Sequence, residues 1–113
     1  MILVIGGIAS GKRTYVRSLG YADEQIGTSV TSLEPVLYGL EECLWERNLT
    51  YDELEALASK DVVTCCEVGQ GVVPMDASER VWQERVGRTC CELAKRANKV
   101  VRMVCGIPVL IKE

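Results

Sequence analysis

The apolar run Ile2-Leu3-Val4-Ile5 passes directly into Gly6-Gly7-Ile8-Ala9-Ser10-Gly11-Lys12-Arg13-Thr14. A continuous apolar, β-branched run predicts a parallel strand covered on both faces. A glycine-rich turn and a helix beginning at the lysine then commit the chain to an α/β layout. Gly6, four residues, Gly11 and Lys12 fit the phosphate-binding pattern G-x-x-x-x-G-K-[ST], except that Arg13 stands where the hydroxyl belongs. Glycines 6, 7 and 11 allow left-handed backbone and close approach to phosphate oxygens, and the helix start aims N–H groups at them. Residues Gly6, Gly7, Ile8, Ala9, Ser10, Gly11, Lys12, Arg13 and Thr14 are therefore the candidate nucleotide-binding set. The alternative is a glycine-rich strand–helix turn with a surface lysine.

The hydroxyl after the lysine ordinarily ligates Mg²⁺. Thr14 is one step further, rotated about 100° around the helix, and Ser10 precedes the lysine. A cation at Arg13 can bind phosphate itself but repels a metal. Glu67 closes the run Asp61-Val62-Val63-Thr64-Cys65-Cys66-Glu67, at the C-terminal end of an expected strand, where open α/β sheets place ligands. A carboxylate there can hold Mg²⁺ through water or take a proton from a hydroxyl substrate. Lys12 and Glu67 are the catalytic candidates, and Thr14 and Glu67 the candidates for Mg²⁺. The alternative for Glu67 is a solvated strand-end acid.

Elsewhere, a helix is expected from Gly11 to Leu19 and a short strand within residues 26–31. Leu33, Val36, Leu37, Leu40 and Leu44 fall at helical spacing, with Pro35 in a first turn. Thr50 and Glu53 form a capping-box pair opening a second helix with Leu54 and Leu57 inward. Together these predict a helical hairpin. Val68–Pro74 reads as a glycine-flexible loop. Asp76 with Glu79 opens a long helix to Ala97, with Trp82, Val86, Cys90, Leu93 and Ala97 inward and Glu84–Arg88 and Glu92–Arg96 on a solvated face. Val100–Cys105 reads as a strand, Gly106-Ile107-Pro108 as a turn, and Val109-Leu110-Ile111 as a short antiparallel edge strand.

With 113 residues the chain is expected to form one domain, residues 1–113. Thirteen basic against sixteen acidic residues give a net charge of −3, with no basic tail or stripe, so nucleic-acid binding has little support. No apolar stretch reaches the roughly 20 residues of a membrane span, and the N-terminal run reads as a core strand rather than a signal peptide. Cys43, Cys65, Cys66, Cys90, Cys91 and Cys105 have neither metal-knuckle nor disulfide-framework spacing; reduced core cysteines in a cytoplasmic protein are expected. There is no histidine, which excludes histidine bases, ligands and covalent intermediates.

Glu67-Val68-Gly69-Gln70-Gly71-Val72-Val73-Pro74 resembles the Glu-Val-Gly-x-Gly-Ile-Val-Pro motif of the adenosylcobinamide kinase/adenosylcobinamide-phosphate guanylyltransferase family of cobalamin biosynthesis. The likeness continues through Arg80, Trp82, Gly87, Leu93-Ala94, Ala97, Val100, Gly106-Ile107-Pro108 and Lys112, and the opening Ile2–Lys12 matches the family's N-terminus; together the segments cover about half of the chain. The resemblance implies a P-loop NTPase-like three-layer αβα sandwich, with a mainly parallel sheet and a short antiparallel C-terminal edge strand. It implies phosphorylation of the aminopropanol hydroxyl of adenosylcobinamide by ATP or GTP, GMP transfer through a guanylylated histidine, a corrinoid substrate and a homo-oligomer. The chain departs from the family in a shortened middle, in Gln83-Glu84 for its Arg-Asp, in Cys90-Cys91 for its Asn-Gln, and in lacking the histidine. Ile26-Gly27-Thr28-Ser29 either matches the family's Ile-Ala-Thr-Ser strand or that strand is absent. The reading is a short relative of this family, a cytoplasmic P-loop domain that binds ATP or GTP; if it is an enzyme, it is a phosphotransferase without guanylyl transfer. The rival readings are a non-catalytic nucleotide-binding or regulatory module and an assembly protein with a vestigial loop.

Overall fold

The computed structural model describes residues 1–67 and 76–113. Along the chain run β1 (Ile2–Gly6), α1 (Lys12–Ser18), β2 (Ile26–Gly27), β3 (Val36–Leu37), α2 (Leu40–Cys43), α3 (Tyr51–Ala58), β4 (Val62–Cys66), α4 (Ala77–Arg96), β5 (Lys99–Val104) and β6 (Ile107–Lys112). The strands form one sheet in the order β2-β3-β4-β1-β5-β6, parallel throughout except for the antiparallel β5–β6 pair. Val16 of α1 packs with Val4, Val36, Val62 and Val101 on one face. Leu57 of α3 and Val86 and Leu93 of α4 pack with Leu3, Leu37 and Val63 on the other. The result is the expected layered α/β sandwich. β1 and β4 need no hydrophobic alternation because both of their faces are covered.

The register sets where chemistry can occur. Gly6 at the end of β1 lies opposite Cys66 of β4 and Met103 of β5. Three central strands therefore finish level, and the 6–14 loop leaves from the middle one. The expected capping box at α3 is present: Thr50 Oγ1 accepts from Glu53 N at 3.2 Å and Glu53 Oε1 accepts from Thr50 N at 2.9 Å. Asp76 caps α4 by accepting from Ser78 N at 2.7 Å. The stripe on α4 is inward as expected, with Thr89 added to it. The Val68–Pro74 loop lies outside the described residues.

Two expectations are corrected. The helical hairpin of residues 33–58 is not formed. Val36 and Leu37 are instead a two-residue strand between β2 and β4, both fully buried, one in each core cluster. Leu33 points to solvent, and of the first expected helix only Leu40–Cys43 is helical, whereas the second forms as α3. The i, i+3, i+4 spacing arises because a buried two-residue strand and the helical turn after it both need leucines, so their combined pattern imitates one helix. The second correction concerns the C-terminal reversal. Cys105 (φ 51°) and Gly106 (φ 78°) form the two-residue turn, as a hairpin with two left-handed positions requires. Ile107 and Pro108 already belong to β6, an edge strand where a proline is tolerated. The segment 26–31 does carry a strand, β2, limited to two residues.

β3 is held to β4 by more than the ladder. Thr64, fully buried, accepts a hydrogen bond on Oγ1 from Gly39 N at 3.0 Å. Thr64→Val keeps the shape but leaves that amide unpaired, so urea denaturation should show a loss of about 1–3 kcal/mol. No helix among the described residues is long and apolar enough to cross a membrane. All six cysteines are free thiols; Cys65 and Cys66 are buried, whereas Cys91 and Cys105 are exposed and so are not core residues.

Candidate functional site

The 6–14 loop is shaped by close backbone contacts. A Cβ on Gly6 would stand 2.9 Å from the Met103 carbonyl oxygen. Gly11 has φ 96°, and a Cβ there would meet Gly106 Cα at 3.1 Å, because the β5–β6 turn rests on the loop through Gly106 N donating to Ser10 O at 3.0 Å. Ala9 also adopts positive φ, at 57°. These constraints bring the loop back over the end of β1, and α1 begins at Lys12.

Lys12 is the centre of the site. Its side chain folds into the loop and donates from Nζ to Gly7 O at 2.7 Å and Gly6 O at 3.2 Å, which leaves one of its three donors. The residue is only 6% exposed and has no carboxylate partner among the described residues. A buried cation without a counter-charge is costly unless an anion completes it. Gly6 O also accepts from Glu67 N at 2.8 Å, so the lysine and the end of β4 share one carbonyl. Ser10 Oγ is buried with no hydrogen-bond partner among the described residues. Ile8 projects into solvent.

Ala9, Ser10, Gly11, Lys12, Arg13, Thr14 and Tyr38 line a cavity of about 270 Å³. The candidate loop residues 9–14 are thus brought together, and Tyr38 from the end of β3 is added. The Arg13 guanidinium lies 4.5 Å over the Tyr38 ring, and its Nη1 is 3.7 Å from Asp23 Oδ1. A larger cleft of about 570 Å³ lies at the opposite, N-terminal ends of β3 and β4, away from this chemistry.

Glu67 is placed beside the loop but outside that cavity's lining. Arg102 of β5 reaches it across β1: Nη2 donates to Oε2 at 3.2 Å, and Nε lies 2.9 Å from Oε1. Arg102 pairs in register with Ile5, so the guanidinium and the carboxylate flank the last turn of β1 on the α4 side. Glu41 from α2 adds a second carboxylate at this edge, its Oε1 accepting from Cys66 N at 2.8 Å. Trp82 Nε1 fixes α2 by donating to Glu41 O at 2.8 Å. Burial pushes the Cys66 thiol up, with Lys12 opposing and Glu41 and Glu67 adding to the rise. On the opposite face of β4, a hydrogen bond with Cys90 and burial hold the Cys65 thiol well above its ordinary value.

Tyr38, Glu41 and Arg102 escape motif reading. Arg102 alone carries a local signal, a charge inside the apolar run Val100-Val101-Arg102-Met103-Val104.

The donor set does not fit Mg²⁺. That ion takes oxygen ligands, usually one or two carboxylates together with substrate phosphates. Among the described residues the cavity is lined by two cations, Lys12 and Arg13, and by no carboxylate. Thr14 supplies only a neutral hydroxyl, and the charge of Glu67 is already matched by Arg102.

A central parallel strand that runs into a glycine loop closed on a buried lysine makes this a P-loop-like α/β protein. A family model described as cobinamide kinase/cobinamide phosphate guanyltransferase matches residues 30–111. The chain belongs to that family. The match includes β3 and α2, middle segments for which motif comparison offers no counterpart, and it begins beyond the 6–14 loop. No curated protein matches the chain significantly.

Proposed function

We propose that this chain binds ATP or GTP through the loop at Gly6, Gly7, Ile8, Ala9, Ser10, Gly11, Lys12, Arg13 and Thr14. The observation that carries the proposal is buried Lys12, two of its donors spent on loop carbonyls and its charge unmatched among the described residues. A phosphate oxygen accepting the third donor would supply the missing anion, with loop amides sharing the charge. In the same reading residues 1–113 act as one cytoplasmic nucleotide-binding domain that assembles with copies of itself.

Family membership supports one reaction for such a site, phosphoryl transfer to the hydroxyl of a cobinamide. The acceptor oxygen attacks the γ-phosphorus, the bond to the nucleoside diphosphate breaks, and the hydroxyl proton passes to a carboxylate. Glu67, held by Arg102, is the candidate to orient the acceptor and take that proton. Guanylyl transfer through histidine is not proposed, because none of the 113 residues is histidine. A second reading is a nucleotide-binding or regulatory module that keeps the loop without turnover. The two cations and missing carboxylate of the cavity favour it.

Titration with labelled GTP and ATP should show saturable binding that Lys12→Ala weakens at least about tenfold, the loss of a charged hydrogen bond. No binding at millimolar nucleotide would sink the proposal. Phosphate transfer to cobinamide by the wild-type chain, absent in Lys12→Ala, separates the kinase from the binding module.

A further inference from the structure

We propose that Arg13 takes the place of a divalent cation at this loop, so that nucleotide polyphosphate is bound without Mg²⁺. The inference rests on the reading that the loop binds nucleotide phosphates, and it specifies which ionic form the site takes. Arg13 occupies the position of the hydroxyl that would otherwise contact the metal. Arg13 lines the same cavity as Lys12, so two cationic residues border one space.

The geometry suits a phosphate grip. The guanidinium carbon lies 4.5 Å over the Tyr38 ring, a cation–π contact that does not itself use the N–H donors. The approach to Asp23 is long, 3.7 Å, and that carboxylate is taken at 2.9 Å by Arg17. Arg13 is therefore held in place by a ring and only weakly by charge. A planar fork held this way binds phosphate oxygens in pairs, with more directional strength than a lysine. Mg²⁺ brings two positive charges of its own and neutralises part of the polyphosphate. Against Lys12 and Arg13 the metal-free nucleotide is the better partner.

The test is calorimetric titration of the full chain with GTP and with ATP, in EDTA and in excess MgCl₂. Binding in EDTA should be at least as tight as in MgCl₂. Arg13→Ala should weaken the EDTA value by about ten- to a hundredfold, with circular dichroism confirming the fold. Arg13→Ser, which restores the hydroxyl, should bind measurably more tightly in MgCl₂ than in EDTA. Wild-type binding that disappears in EDTA and returns with MgCl₂ would overturn the inference while leaving the loop as the nucleotide site. So would Arg13→Ala binding like wild type. No wild-type binding in either buffer overturns the loop reading and the inference with it.

Discussion

Gly6→Ala should destabilise the protein by about 1–3 kcal/mol, the usual range for overpacking a filled position, and should impair nucleotide binding as well. The added Cβ would sit 2.9 Å from Met103 O, 3.1 Å from Met103 Cβ and 2.5 Å from Ser10 Oγ. Ser10 can rotate away. Met103 O cannot, because it belongs to the β5 backbone paired in register with Gly6. Relief must therefore come from β1 moving, and Gly6 O holds both Glu67 N and Lys12 Nζ. Gly7→Ala is the matched control. A Cβ on Gly7 meets nothing within 4 Å, so its stability should stay within about 0.5 kcal/mol of wild type. Urea denaturation of the two variants decides the matter. Equal stability would mean that β1 and β5 do not approach as closely as described.

Leu37→Ala should cost about 2–5 kcal/mol, the range for truncating a buried leucine. Leu33→Ala should cost less than about 0.5 kcal/mol. Leu37 is fully buried between α3, α4 and the sheet, whereas Leu33 is 99% exposed. The pair discriminates the two-residue strand from the helix suggested by leucine spacing. In that helix Leu33 and Leu37, four apart, would share one face, and both truncations would be costly. In a strand between β2 and β4, only Leu37 reaches the core.

Long elements with a single environment were legible. β1 and β4 are apolar runs because both faces of a central parallel strand are buried. α4 repeats its inward side chains over five turns, enough for the period to stand out. The capping box at Thr50–Glu53 is a local pairing within four residues and forms as expected. β2 and β3, two residues each, are too short to display any period. Their strand state comes from hydrogen bonds to neighbours remote in sequence, such as Asp61 N donating to Pro35 O at 2.9 Å.

The same division runs through the site. The sequence by itself determined the loop chemistry: the glycine spacing, the lysine, an arginine for a hydroxyl, and the absence of any histidine. These are properties of residue type and adjacency, so folding cannot change them. Only the tertiary structure decided what surrounds those groups. It put Tyr38 under Arg13, Arg102 against Glu67 and Glu41 on the Cys66 amide, and left Lys12 buried with no carboxylate beside it among the described residues. Each of those contacts joins residues 25 to 35 positions apart, through strand order and register. Sheet pairing, a global balance of burial and hydrogen bonding, sets that register, and no local pattern encodes it.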